Sequence, residues 1–263
     1  MIKFCTLASG SSGNSLYIES KHSKILIDAG ISFRRISQSL SSLGIAVSAL
    51  NAVVLSHEHV DHSRSVGKMS EVPVYVSGET VDYWEGKRNG SGNRNGTIKE
   101  LREFNSEVPF CINDLTVTPF SVVHDAIDPV GFTITDGDVK IGIVTDIGKP
   151  TALVKERLRG CDALVVESNH DRKMLFSGPY PPYLKQRISG EHGHLSNDQS
   201  ASLLGDVLHE GLRYVLLAHL SETNNTPEMA LVCSLEALRR KGVEDCVALS
   251  VAPRNTVGEV ITI

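Results

Sequence analysis

Three histidines and an aspartate fall within six residues, His57-Glu58-His59-Val60-Asp61-His62, just beyond the apolar run Ala52-Val53-Val54-Leu55. The apolar run reads as a buried strand, over 51–56, and the polar cluster as the loop that leaves it. Residues two apart in extended backbone point the same way. His57 and His59 can therefore grip one ion together, while Asp61 and His62, past the turn, can face a second. Imidazole and carboxylate suit Zn, Mn, Fe or Ni. Two adjacent divalent ions activate water and stabilise charge developing on a substrate oxygen. The competing interpretation is a solvated polar loop, which leaves this density of ligand-type side chains at one strand end unexplained.

Three more residues fit the same centre. His124 follows a strand expected over 115–123, Asp146 one over 139–145, and His219 one over 214–218. Each stands where a strand gives way to a loop, so in a layered fold all can converge on one edge. Further strands are expected over 2–7, 15–19, 24–28, 130–135, 163–167, 247–251 and 257–263. Helices are expected over 32–43, where apolar residues recur at three and four, and over 227–241. A third helix opens on the Ser196/Gln199 capping box and runs to about His209. The Gly- and Asn-rich basic stretch 84–96 reads as a surface loop, and 174–193, with three prolines, as irregular. ILIDAG (25–30) is echoed by IGIVTDIG (141–148), and NAVVLSHEH (51–59) by DALVVESNH (162–170), in the same order. Two related halves explain the echo; so does the general likeness of buried strands.

Composition sets the remaining bounds. With 263 residues, 41% hydrophobic and 22% charged, the chain suits a soluble globular protein with one large core. No Pro/Gly/Ser linker divides it, so a single domain over 1–263 is expected, its halves meeting near residue 120. No apolar run approaches the ~20 residues of a membrane span, and the N-terminal stretch lacks a signal-peptide core. The five cysteines are odd in number and scattered, which argues against a disulfide framework and for a reducing cytoplasm. A net charge of −5 excludes holding nucleic acid by bulk charge, though not by a local basic groove.

The motif H-x-H-x-D-H, followed in order by His124, Asp146 and His219, resembles the metallo-β-lactamase fold over essentially the whole chain. The resemblance implies an α/β fold in four αββα layers, with the metal site at one edge. It implies that His57, His59 and His124 bind one divalent ion and Asp61, His62 and His219 the other, with Asp146 bridging both. Asp61 stands also among the implied catalytic groups. Asp28, closing ILID, matches an aspartate that braces the histidine loop without binding metal; a plain turn-former ahead of Gly30 is the alternative. Lactamases themselves resemble a pattern with Cys where this chain has Asp146. Flavo-diiron proteins and β-CASP nucleases carry additional domains for which there is no room. The tRNA 3′-processing enzymes carry a gripping arm that 84–96 matches poorly.

Two more segments resemble the phosphodiesterase branches. Glu167-Ser168-Asn169-His170 follows Asp146, and Gly193-His194-Leu195-Ser196 opens the helix before the last ligand strand. In the tRNA-processing relatives a Glu and a His at such stations support proton transfer, because a phosphodiester leaves as an alkoxide unless it is protonated. His194 is thus a candidate acid or phosphate contact, or simply a loop histidine. Glu167 and His170 are candidates for supporting it. LASGSSGNS, VLSHEHVDH, ESNHD, GHLSN and LAHLSETNN together closely resemble the YycJ (WalJ) family of Gram-positive bacteria. That resemblance implies a Mn-supported exonuclease acting 5′ to 3′ on duplex DNA, with mismatch-repair proteins as partners and Zn as the other metal candidate. Lys87, Arg88, Arg94, Lys185, Arg187 and Arg254 are candidate DNA contacts, or solvated surface. The same core would serve an RNA-processing nuclease, or a hydrolase of a cyclic phosphodiester, lactone or thioester. It could also persist in a binding module without turnover. A basic channel marks a nuclease, an enclosed pocket a small-molecule enzyme.

Overall fold

The computed structural model describes residues 1–88 and 98–263, with the backbone alone at 83 and 85–88. The first sheet is built from β1 (Lys3–Ala8), β2 (Ser15–Glu19), β3 (Lys24–Ile27), β4 (Ala52–Val54), β5 (Val74–Ser77) and β6 (Leu101–Phe104). The second is built from β7 (Phe110–Ile112), β8 (Leu115–Ser121), β9 (Val130–Thr135), β10 (Lys140–Val144), β11 (Ala163–Glu167), β12 (Tyr214–Ala218) and β13 (Ala248–Val251). A short β14 (Ile261–Thr262) returns to pair with β1, so each sheet has seven strands. Interspersed are α1 (Phe33–Ser42), α2 (Val60–Ser63), α3 (Gly78–Arg88), α4 (Ala152–Leu158), α5 (Arg172–Ser177), α6 (Pro182–Ser189), α7 (Asn197–Val207) and α8 (Pro227–Arg240).

Burial accounts for the layering. Alternate residues of the two sheets, among them Phe4, Ile18, Val54, Phe132, Ile143 and Val165, meet in a central apolar cluster. The opposite face of the first sheet packs on α1 through Leu26, Val53, Ile36 and Leu40. The opposite face of the second packs on α4, α7 and α8 through Val144, Val166, Leu203 and Leu238. Each such side chain is worth about 1.5–3 kcal/mol when fully buried. Strands covered on both faces run apolar, as β4 does throughout and β11 does up to Glu167 at its end. The result is the expected four-layer αββα sandwich.

The two sheets share a plan. Each begins antiparallel and turns parallel, at β3 in the first and at β10 in the second. The echoed segments fall on corresponding strands: ILID and IGIV on β3 and β10, AVV and ALVV on β4 and β11. The sheets part between Phe104 and Phe110, ahead of residue 120, and β14 rejoins the first.

Several expectations need correction. The stretch 174–193 carries α5 and α6, because Asp171 caps the first and Pro182 starts the second at a position that lacks no donor. Helix α3 extends to Arg88, so no loop begins at Trp84. The strand expected over 257–263 shrinks to two residues, since only Ile261 and Thr262 find partners on β1. The strand before His124 ends at Ser121. Strands β5, β6 and β7 and helix α4 were not foreseen.

Candidate metal centre

The parallel strands β3, β4, β10, β11 and β12 end on one edge, where open α/β sheets place their ligands. β4 delivers Ser56 and His57. His59 then stands at the N-terminus of the single turn α2, which carries Asp61 and His62. That turn is clamped by backbone. Asn14 donates its N–H to Asp61 O at 2.7 Å, Ala29 to His62 O at 2.7 Å, and Gly30 to Asn14 O at 2.8 Å. A Cβ on Gly30 would lie 1.6 Å from Asp61 O, so only glycine permits the approach. The SGSSGN turn is thus part of the scaffold under the histidines, a role its composition alone did not disclose.

The structure brings all seven expected ligand residues together. His57, His59 and His124 form one group with ligand atoms within 4.8 Å of one another, and Asp61, His62 and His219 form another. Asp146 lies within the same reach of His57 and His62, and separately of His219. Four histidines spend Nδ1 on the protein. His57 pairs with Ser56 Oγ at 3.0 Å, His62 donates to Asp28 at 2.7 Å, His124 to Gly193 O at 3.1 Å, and His219 to Glu167 at 2.8 Å. Hydrogen bonds of this kind fix the ring so that Nε2 faces a metal. The buried Nε2 atoms of His57 and His219 make no hydrogen bond. Orphaned lone pairs among imidazoles and a buried carboxylate fit a divalent cation.

Electrostatics agree with that fit. Burial, then neighbouring His62, hold His57 well below the usual imidazole range. Burial lowers His62 also, but Asp146 and Asp28 outweigh it and push His62 well up. Burial opposes ionisation of Asp146, yet His219 and His62 carry it well below the usual carboxylate range. An ionised carboxylate this deep calls for positive charge.

Two buried carboxylates serve the histidines from behind. Asp28 accepts the N–H of Ser56 at 2.8 Å and its hydroxyl at 2.9 and 3.0 Å, besides His62. Glu167 accepts His219 at 2.8 Å, His194 at 2.9 Å, and the N–H groups of Leu195, Asp146 and Ile147 at 2.9, 3.2 and 3.2 Å. With every lone pair engaged, Glu167 has none for a metal. Burial drags the His194 pKa down, but the charge and hydrogen bond of Glu167 prevail and raise it to about 9. Its Nδ1 is taken, which leaves Nε2 on the partly exposed side.

His170 is different. It is buried, bridges by backbone to Ser196, does not line the cavity, and burial pushes its pKa down to about 4. Its Nδ1 makes no hydrogen bond. It thus stands behind the cavity rather than in its wall, within electrostatic reach of Glu167 and His194.

A network of small amides was missed by sequence reasoning. Asn169 donates to His219 O at 2.9 Å, Ser9 Oγ accepts the His219 N–H at 2.8 Å, and together they hold His219 at a left-handed φ of 57°. Asn225 ties Ser168 O, Asn169 O and Asn197 together at 2.8, 3.1 and 2.9 Å. The usable signal was the recurrence of Asn in ESNHD, GHLSN and LSETNN, the first and last of which follow buried strands.

An open cavity of about 290 Å³ lies over the centre, with His59, Asp61 and His194 at its floor and Tyr180, Leu184 and Arg187 in its wall. Of the candidate DNA contacts, Arg187 is therefore at the site, joined to Asp125 at 2.6 Å. Lys185 caps Phe176 O at 2.8 Å, and Arg254 faces Glu222 at 3.5 Å beside Gly10. The side chains of Lys87 and Arg88, and Arg94 as a whole, lie outside the described residues.

Comparison with known proteins bears on this arrangement. The profile of a family described as the beta-lactamase superfamily domain matches residues 23–219. The exodeoxyribonuclease YycJ of Bacillus anthracis is 32% identical over 244 residues, covering 92% of this chain and 90% of that protein. The exodeoxyribonuclease WalJ of Streptococcus pneumoniae is 33% identical over 233 residues, covering 87% and 85%. The chain belongs to the YycJ (WalJ) family of the metallo-β-lactamase superfamily. Zn(2+)-bound PqqB from Methylobacterium extorquens shares the fold at a TM-score of 0.69 and 18% identity, over 99% of this chain and 100% of that one. As a member of the YycJ (WalJ) family the protein is a metal-dependent hydrolase, and its relatives and donor clusters support a nuclease. No helix among the described residues is long and apolar enough to cross a membrane.

Proposed function

We propose that this protein is a DNA exonuclease that digests duplex DNA from the 5′ end and removes strands during mismatch repair, in company with mismatch-repair proteins. The observation that carries this reading is the one-third identity, along nearly the whole length, with two exodeoxyribonucleases. A cytoplasmic setting fits the five free cysteines.

His57, His59 and His124 are assigned to one divalent ion and Asp61, His62 and His219 to a second. Asp146 reaches both groups, with Oδ2 3.0 Å from His62 Nε2 and Oδ1 3.3 Å from His219 Nδ1. Mn and Zn suit these donors, as do Fe and Ni. Such ions, when bound, supply activated water and offset charge on the phosphate. Asp28 and Glu167 orient the ligand rings. His194, kept protonated by Glu167, donates from Nε2 to the leaving sugar oxygen.

The deciding experiment incubates the purified protein with Mn or Zn on 5′- and 3′-labelled duplex and single-stranded DNA, on RNA, and on a chromogenic phosphodiester. Release of 5′ label as short products from duplex DNA is expected. Turnover confined to the chromogenic diester, or to a lactone or thioester, overturns the nuclease reading, and preference for RNA moves the substrate class.

A further inference from the structure

The wall of the cavity carries a composition at odds with the rest of the chain. Residues 172–190 hold Arg172, Lys173, Lys185 and Arg187 and no acidic residue, in a protein of net charge −5. The same stretch exposes two large rings, Phe176 at 52% and Tyr183 at 71%. Exposed aromatic rings beside cations are the surface features with which proteins hold single-stranded nucleic acid.

Geometry makes this stretch part of the site. Tyr180, Leu184 and Ile188 recur every four residues and line the cavity that holds His59, Asp61 and His194. Tyr183 and Arg187 are likewise four apart on α6, so they stand one above the other on an adjoining stripe, and Arg187 too lines the cavity. The helix is seated firmly. His194 donates its N–H to Ile188 O at 2.9 Å, and a Cβ on Gly193 would lie 2.2 Å from the carbonyls of Arg187 and Ile188. Lys185 ties α6 to the end of α5. The Asp125 carboxylate fixes the Arg187 guanidinium through Nε, leaving its outer nitrogens for another anion.

We propose that α5 and α6 form a binding site for the unpaired terminal nucleotides of a DNA strand, with a base stacking on Tyr183 and the adjoining phosphate held by Arg187. Aromatic faces bind bases without regard to sequence, and cations track the backbone; together they make the usual grip on a single strand. A base inside the duplex keeps both faces stacked on its neighbours, and a terminal pair can offer its one open face only together with its partner strand. The site therefore favours ends whose bases are frayed or overhanging and reach it singly. The proposal rests on the nuclease reading and names the form of DNA that enters the centre.

The test measures two quantities on wild type, Tyr183→Ala, Tyr183→Phe and Phe176→Ala/Tyr183→Ala. One is anisotropy of a labelled single-stranded oligonucleotide without added metal. The other is kcat and KM on duplexes with flush and overhanging ends. Tyr183→Ala should weaken oligonucleotide binding about 5- to 100-fold, the worth of one stacked base. KM for the overhanging duplex should rise more than kcat falls, and Tyr183→Phe should restore both, because the ring rather than the hydroxyl stacks. All three variants change surface rings alone, and circular dichroism reports that they fold. Equal affinity and KM in wild type and the double variant, while wild type digests DNA, overturns the stacking site and leaves the nuclease reading standing. Weakened binding with no digestion by wild type keeps the site and removes the nuclease. No binding by wild type overturns the stacking site, and the nuclease reading then stands or falls on digestion alone. A change in sedimentation of Tyr183→Ala, with DNA affinity intact, would mark the face as a contact between copies and overturn the proposal.

Discussion

The two halves of the molecule use one local device for opposite ends. Asp28 directly follows β3 with φ 64°, Asp146 stands two residues past β10 with φ 55°, and each aspartate is followed two residues on by a glycine. Gly30 presses against Asp61 O, and Gly148 against Glu191 O, where a Cβ would lie 2.2 Å away. Yet Asp28 is a brace and Asp146 faces the centre. The neighbouring strand decides which. β4 ends in Ser56, whose N–H and hydroxyl fill the Asp28 carboxylate. β11 ends in Glu167, an acceptor, which takes the backbone N–H of Asp146 instead, so the Asp146 carboxylate has no backbone or hydroxyl donor and lies closest to the rings of His62 and His219. Saturated with hydrogen bonds, a buried carboxylate orients histidine. Left unsaturated, it binds a cation.

The largest effect should come from the unsaturated one. Asp146→Ala is expected to abolish hydrolysis and to empty both metal positions, while His59→Ala empties one. Metal content per chain by mass spectrometry, with circular dichroism to show the fold intact, checks this. Unchanged content in Asp146→Ala would break the contrast between the halves.

Next is the histidine that only the second half possesses. His194→Ala should keep its metals and lose roughly 10²–10⁴-fold in rate on DNA, the worth of a positioned acid. On a nitrophenyl diester the loss should shrink, because that leaving group needs no proton. Equal losses on both substrates would make His194 a phosphate contact.

The braces themselves compare directly. Glu167→Gln should cost more than Asp28→Asn, because Glu167 serves two histidines and Asp28 one. Asp28→Asn should weaken metal binding about 10–100-fold, typical for the partner of a ligand. Glu167→Gln should do the same and also slow turnover of the fully loaded enzyme, since His194 loses the charge that keeps it protonated. Titration with metal, then rates at saturating metal, separate the two effects.

Legibility in the sequence follows the same division. The centre could be read because His57 to His62 is contiguous and His124, Asp146 and His219 each close an apolar run. Asp28 was legible as a brace by resemblance. How Glu167 is held was not, since its five donors come from three separate stretches of chain and no local pattern records them. Helices α5 and α6 were hidden by prolines that start a helix as readily as they break one. Strands β5 to β7 are three or four residues long, below the length at which alternation declares itself.

The smallest effect tests the comparison most finely. Ser56→Ala removes a hydroxyl that lies 2.9 and 3.0 Å from the two Asp28 oxygens but keeps the backbone N–H that reaches Oδ1. His62 still donates to Oδ2, so no buried charge is stranded. The lost hydrogen bond should cost about 0.5–1.5 kcal/mol of stability. Metal affinity should fall less than in Asp28→Asn, because His62 keeps its carboxylate partner and only His57 Nδ1, which paired with the lost hydroxyl, is left without one. Denaturant melts and metal titrations read the two quantities. If Ser56→Ala instead costs as much metal as Asp28→Asn, the hydroxyl is what separates a brace from a ligand. The free Asp28 oxygens would then compete for the ion, and the first half would have become chemically like the second.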